Sequence, residues 1–182
     1  MVTVTVLPHS RPLTADDLVG VPDDGHRYEL VDGTLLVTPA PSVRHQRAVV
    51  RLISMLVSAV PDDLEVLTAP FDVRLADDTV LQPDVLVCRR DDLTENNLPT
   101  APLLAIEVLS PSTRLVDLNL KRARYEAAAC PSYWVVDPDA PSITMWGLRD
   151  GAYEEVATVL GGESFTSTHP CRVTVIPRDL VS

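Results

Sequence analysis

The chain has 182 residues, 46% of them hydrophobic and 23% charged, a balance too apolar for a disordered protein. At this length a core forms without disulfide or metal staples, and the whole of 1–182 is expected to be one domain. Fifteen Lys and Arg against 26 Asp and Glu give a net charge of −11, which excludes a general nucleic-acid coating protein but allows one local basic groove. Cys88, Cys130 and Cys171 are odd in number and widely spaced, with no CxxC pair, so neither a zinc ribbon nor a disulfide framework is expected. The longest apolar run, near Leu52 to Val60, is broken by Ser54 and Ser58 and is too short to span a bilayer. No basic region followed by a sustained apolar stretch opens the chain, so a reducing, cytoplasmic setting without a membrane partner is expected.

In chain order, Thr14 and Asp17 resemble a capping box and predict a short helix to about Val19. His26 to Val31 and Thr34 to Thr38 flank Asp32-Gly33 and predict a tight hairpin. Ser42 is placed to cap a helix from about Val43 to Ala59, with Val49, Leu52, Ile53 and Leu56 as its apolar stripe, stopped by Pro61. Strand signals follow at Glu65 to Leu75 and Val80 to Cys88, then a polar loop from about Arg89 to Thr100, then Leu103 to Leu109. The turn Ser110-Pro111-Ser112 leads into a second helix, about Leu115 to Ala129. Strands are then expected at Tyr133 to Val136, Ile143 to Leu148, Tyr153 to Leu160 (after a turn at Asp150-Gly151) and Arg172 to Ile176. Strand groups separated by long helices predict an α/β fold with one mixed sheet flanked by helices.

The chemistry-bearing positions stand out against this pattern. Alternation along Val80 to Cys88 puts Gln82, Asp84, Leu86 and Cys88 on one face, leaving Asp84 as an acid in a largely apolar strand. Glu107 is the lone charge in Leu103 to Leu109, a run that reads as buried on both sides. An isolated buried carboxylate is costly and needs a cation, hydrogen bonds, a proton or a metal. In the following helix Asp117, Lys121 and Tyr125 recur every four residues and share a face. Lys121 is the sole lysine in a chain with 14 arginines, and with Arg114, Arg122 and Arg124 it forms the most basic stretch. Lysine is a compact cation that fits beside a reacting water or phosphate, where arginine is bulky. His45 is expected on an exposed helix face, Ser110 and Ser112 in a turn and cap, and Tyr133 and Trp134 in the core. No HExxH, P-loop or GxGxxG occurs.

Taken in order, Arg27-Tyr28-Glu29-Leu30-Val31-Asp32-Gly33, Gln82-Pro83-Asp84-Val85, Ile106-Glu107-Val108-Leu109-Ser110-Pro111-Ser112-Thr113, the Asp117/Lys121/Tyr125 spacing and Tyr133-Trp134-Val135-Val136-Asp137-Pro138 resemble the Uma family of restriction-endonuclease-like proteins, from about Leu13 to Ile176. The resemblance implies a PD-(D/E)XK nuclease fold, with Asp84 and Glu107 as the paired acids and ligands of Mg²⁺ or Mn²⁺. It further implies Lys121 as the catalytic lysine moved onto the following helix, because Leu109 stands where that lysine is expected. Glu29 is the fourth expected member of the site. DNA is the implied substrate, contacted by Arg114, Arg122 and Arg124. The rival reading is an inactive nuclease fold serving dimerisation (a homodimer) or nucleic-acid binding, favoured by Leu109 and the acidic charge. A second rival is a metal-independent hydrolase using the two acids as acid and base.

Overall fold

The computed structural model describes residues 11–22 and 24–182. Thr14 and Asp17 form the reciprocal capping box, opening a 3₁₀ turn over Ala15–Gly20. Strands β1 (Arg27–Val31) and β2 (Thr34–Thr38) pair antiparallel through a turn in which Asp32 and Gly33 both take positive φ, 50° and 73°. A Cβ on Gly33 would also lie 2.5 Å from the Cβ of Pro12, so this position requires glycine twice over. Helix α1 (Val43–Val57) starts at Ser42, whose side chain accepts the His45 amide. It buries Ala48, Val49, Leu52 and Leu56.

Strands β3 (Leu64–Thr68), β4 (Asp72–Ala76), β5 (Thr79–Leu81) and β6 (Val85–Arg89) replace the two long strands predicted between Glu65 and Cys88. Each predicted strand breaks where proline removes a ladder donor, at Pro70 and at Pro83, and at each break the chain changes sheet. The polar loop after β6 contains a two-residue strand, β7 (Asn97–Leu98), that pairs parallel with β4. Then come β8 (Leu104–Val108), a π-helical segment (Val116–Lys121) running into α2 (Arg122–Ala127), and β9 (Ser132–Asp137), β10 (Ser142–Arg149) and β11 (Ala152–Leu160). The hairpin β12 (Phe165–Ser167) and β13 (Val173–Val175) and the short helix α3 (Pro177–Val181) complete the described elements.

The α/β class holds, and the strands form more than the one sheet expected. A six-stranded mixed sheet runs β11-β10-β9-β8-β6-β3, a five-stranded mixed sheet runs β2-β1-β5-β4-β7, and β12 and β13 pair separately. On one face of the six-stranded sheet Val85, Val87, Leu104, Ile106 and Val108 pack with the α1 stripe. Residues of the opposite face, Ala105, Tyr133 and Val135, cluster with Val31 and Leu81 of the second sheet and with Tyr125 of α2. Full burial of side chains such as Leu52 and Leu56 is worth about 1.5–3 kcal/mol each, so the α1 seam is a main anchor of the fold. The three cysteines are buried thiols. Among the described residues no helix is long and apolar enough to cross a membrane.

Candidate active site

The break at Pro83 places Asp84 where the chain enters β6 from the second sheet. β6 and β8 pair antiparallel, with Val85 opposite Ile106 and Leu86 opposite Ala105. Asp84 immediately precedes this ladder and Glu107 immediately follows Ile106, so the two acids stand at the same end of the β6–β8 pair. The main chain locks them together: the Val108 amide donates to Asp84 Oδ2 at 2.7 Å.

The same period of two puts Arg27 and Glu29 side by side on β1. Arg27 donates to Asp84 Oδ1 at 2.8 Å and to the Gln82 carbonyl at 3.0 Å, and its Nε lies 3.8 Å from Glu29 Oε2. Glu29 Oε1 accepts the Gln82 amide at 2.8 Å, tying β1 to the chain just before the proline. From the other side comes Lys121, whose Nζ lies 2.9 Å from Glu29, 3.2 Å from Glu107 and 3.4 Å from Asp117. The π-helical segment delivers Asp117 and Lys121 together; such widened turns leave carbonyls outside the ordinary ladder, and here the Tyr133 hydroxyl donates to the Asp117 carbonyl at 2.7 Å.

Glu29, Asp84, Glu107, Asp117 and Lys121 are all at most 3% exposed. Burial drives the Glu107 carboxyl well above the ordinary range, more than Lys121 offsets, with Asp117, Asp84 and Glu29 adding repulsion. Burial likewise raises Asp117. Asp84 goes the other way, to about 2: its burial is outweighed by the His45 hydrogen bond, the Arg27 and His45 charges and the Val108 amide. Lys121 is held in its charged form because Glu107, Glu29 and Asp117 more than offset its desolvation.

Four carboxyl groups thus crowd around two permanent cations, Arg27 and Lys121, in a buried cluster where Asp84 also pairs with His45. Glu29 Oε2 and Asp117 Oδ1 are buried without a hydrogen-bond donor. Among the described residues no three His, Cys, Asp or Glu side chains are placed to share one metal ion. Mg²⁺ does not require such a cage, since it is commonly held by one or two carboxylates and keeps several waters. An all-oxygen donor set in which carboxyl groups outnumber the permanent cations suits a hard dication.

A cleft of about 460 Å³ leads to this cluster, and its lining includes Arg27, His45 and Asp84 but neither Glu107 nor Lys121. His45 corrects the expectation of an exposed helical residue: it is buried, with Nε2 3.1 Å from Asp84 Oδ2. Arg27 and His45 are thus site residues that the sequence reading did not select. The three arginines expected at DNA do not gather around Lys121, which is itself buried. Arg114 pairs with Asp137 at 2.6 Å, next to the Ser110–Thr113 rim of the cleft. Arg122 lies over the Trp146 ring at 5.2 Å, and Arg124 reaches Asp32 at 3.2 Å. Ser110 serves the turn as expected, accepting the Thr113 amide and bonding the Thr113 hydroxyl.

Comparison with curated proteins gave no match. Among solved structures the fold matches a protein from Anabaena variabilis ATCC 29413 described as a putative nuclease belonging to DUF820, with a TM-score of 0.74 and 17% identity over 93% of this chain and 98% of that one. At that identity the likeness carries the fold. Residues 15–175 match the model of the Uma2 family, described as putative restriction endonuclease, and the chain belongs to that family.

Proposed function

We propose that the chain is a Mg²⁺-dependent endonuclease that hydrolyses DNA phosphodiester bonds, with Mn²⁺ as a substitute ion. The observation that carries this reading is that Asp84 and Glu107 stand at the same end of the β6–β8 pair, joined through the Val108 amide and backed by Lys121. Asp84 and Glu107 would hold the ion, which would supply Lewis-acid polarisation of a phosphate oxygen and activation of a water.

The chain's own residues do the rest. Asp84 reaches the cleft and meets the backbone of an incoming strand, while Glu107 is supplied from behind by β8. Lys121 fixes the Glu107 carboxylate and offsets charge that builds on the phosphate; an ammonium has three protons, and three carboxylates surround this one. The contact to Asp117 is the longest and makes no hydrogen bond, so the ammonium proton on that side is the one most easily turned to a water. Glu29 holds Lys121 and Arg27 in place. Arg114, beside the cleft rim, is the DNA contact nearest the site; Arg122 and Arg124 serve parts of the strand beyond it. The setting is cytoplasmic, and one domain carries the activity.

The inactive-module reading has its own support: Glu107 is 1% exposed and Leu109 occupies the usual lysine position. A plasmid and oligonucleotide cleavage assay separates the two. The nuclease reading expects cleavage with Mg²⁺ or Mn²⁺, none with EDTA, and a loss of at least about a hundredfold in Asp84→Asn, in line with removing one element of transition-state charge stabilisation. DNA binding without cleavage under any metal supports the module, and cleavage that survives EDTA supports a metal-independent hydrolase.

A further inference from the structure

A carboxylate offers about four lone-pair sites, two on each oxygen. At Asp84 three are taken. Oδ2 accepts from both the Val108 amide and His45 Nε2, and is full. Oδ1 accepts from Arg27 alone, which leaves one site on that oxygen. A cation that uses Asp84 must therefore approach Oδ1, directly beside the Arg27 guanidinium. Two cations on one oxygen repel, so a divalent ion there weakens the arginine's hold.

Arg27 is pinned by Asp84, the Gln82 carbonyl and the Thr38 hydroxyl, yet it is the most accessible charged side chain of the cluster. Its side chain is 19% exposed where Asp84 and Glu29 are nearly sealed, and it lies on the cleft wall. It is the only Lys or Arg among the described residues lining that cleft. Elsewhere the lining is rich in hydroxyls, including Thr38, Ser42, Ser110 and Thr113, with no second fixed cation to meet a phosphate. Guanidinium is weakly hydrated and matches phosphate geometry with two parallel donors.

We propose that Arg27 is an exchangeable counter-ion: it holds Asp84 Oδ1 in the metal-free chain, yields that oxygen to a divalent cation, and turns into the cleft to bind a phosphate of the substrate strand. This rests on the reading of Asp84 and Glu107 as metal ligands. It makes metal and substrate binding cooperative, because the ion releases the arginine that the phosphate needs. It also sets the two affinities in opposition at one residue.

The test is calorimetric titration of Mn²⁺ into wild type and Arg27→Gln, followed by fluorescence anisotropy with a phosphorothioate oligonucleotide at saturating Mn²⁺. Arg27→Gln should bind Mn²⁺ tighter by about tenfold or more, since a competing charge is gone, and should bind the oligonucleotide about tenfold more weakly. Arg27→Lys, which keeps the charge and loses the fork, should stay near wild type for Mn²⁺ and be impaired for the oligonucleotide. Should Arg27→Gln fail to fold, the wild-type Arg27 Nε–H resonance remains a readout: it should shift with Mg²⁺ and saturate together with the calorimetric heat. Equal or weaker Mn²⁺ binding in Arg27→Gln, or an unmoved resonance, overturns the exchange and leaves the metal site standing. No Mn²⁺ or Mg²⁺ binding to either protein overturns the exchange together with the metal reading beneath it.

Discussion

Asp84 Oδ2 accepts the Val108 amide at 2.7 Å, so the entry of β6 is fastened to the end of β8 at the residue next to Glu107. A main-chain donor cannot rotate away as a side chain can, so the spacing between the two acids is set by the sheet. Charge balance then decides which groups are poised to take a cation.

Lys121→Met is expected to be the most damaging single change at the cluster. It leaves Glu29, Glu107 and Asp117 buried without their shared cation, and breaking a buried ion pair from one side costs about 3–5 kcal/mol. Urea unfolding measures it; a loss below about 1 kcal/mol contradicts the placement of Lys121.

Asp84 and Glu107 were legible in the sequence because each interrupts an apolar strand, and a period of two assigns a face to every residue around them. Lys121 was legible as the sole lysine. His45 carried a signal that the stripe at 49, 52 and 56 already contained: one turn back along the same period falls on position 45, which is therefore an inward position. Arg27 stands two residues before Glu29, the spacing that puts both on one face of β1. The divided sheet was harder to read, because hydrophobic alternation runs on across Pro83 while the missing donor sends the chain to another sheet. The π-helical segment has no period of its own in six residues, and β7 pairs over two residues only. Both depend on contacts distant in sequence.

Metal-free stability should rise on mild acidification. Glu107 and Asp117 have raised carboxyl pKa values in the folded chain, so the folded state binds more protons than the unfolded state between roughly pH 4 and the raised values. Stability therefore falls as pH climbs through that window. Asp84, held at about 2, acts oppositely, contributing stability above roughly pH 4 that is lost as pH falls through about 2. Urea midpoints should be higher at pH 5 than at pH 7.5, with a flatter profile in a Glu107→Gln/Asp117→Asn variant. A wild-type profile parallel to the variant's counts against the buried charge.

Gly33→Ala tests the hairpin that carries Arg27 and Glu29. The positive φ of 73° and the 2.5 Å approach to Pro12 together should cost about 1–3 kcal/mol, read as a lower urea midpoint. An unchanged midpoint means that the turn and the Pro12 contact yield without cost.

A divalent-cation site on Asp84 and Glu107 is read out by thermal melts of wild type and Glu107→Gln at neutral pH, with and without millimolar Mg²⁺. The variant removes a carboxyl whose ionisation is opposed by burial and by Asp117, Asp84 and Glu29, so without Mg²⁺ it should melt at or above the wild-type temperature. Added Mg²⁺ should raise wild type by several degrees, about 2–4 °C for each kcal/mol at this length, and leave the variant unmoved. A Glu107→Gln protein destabilised by about 3–5 kcal/mol, beside a wild type that ignores Mg²⁺, would mark Glu107 as one half of a structural ion pair and contradict the account.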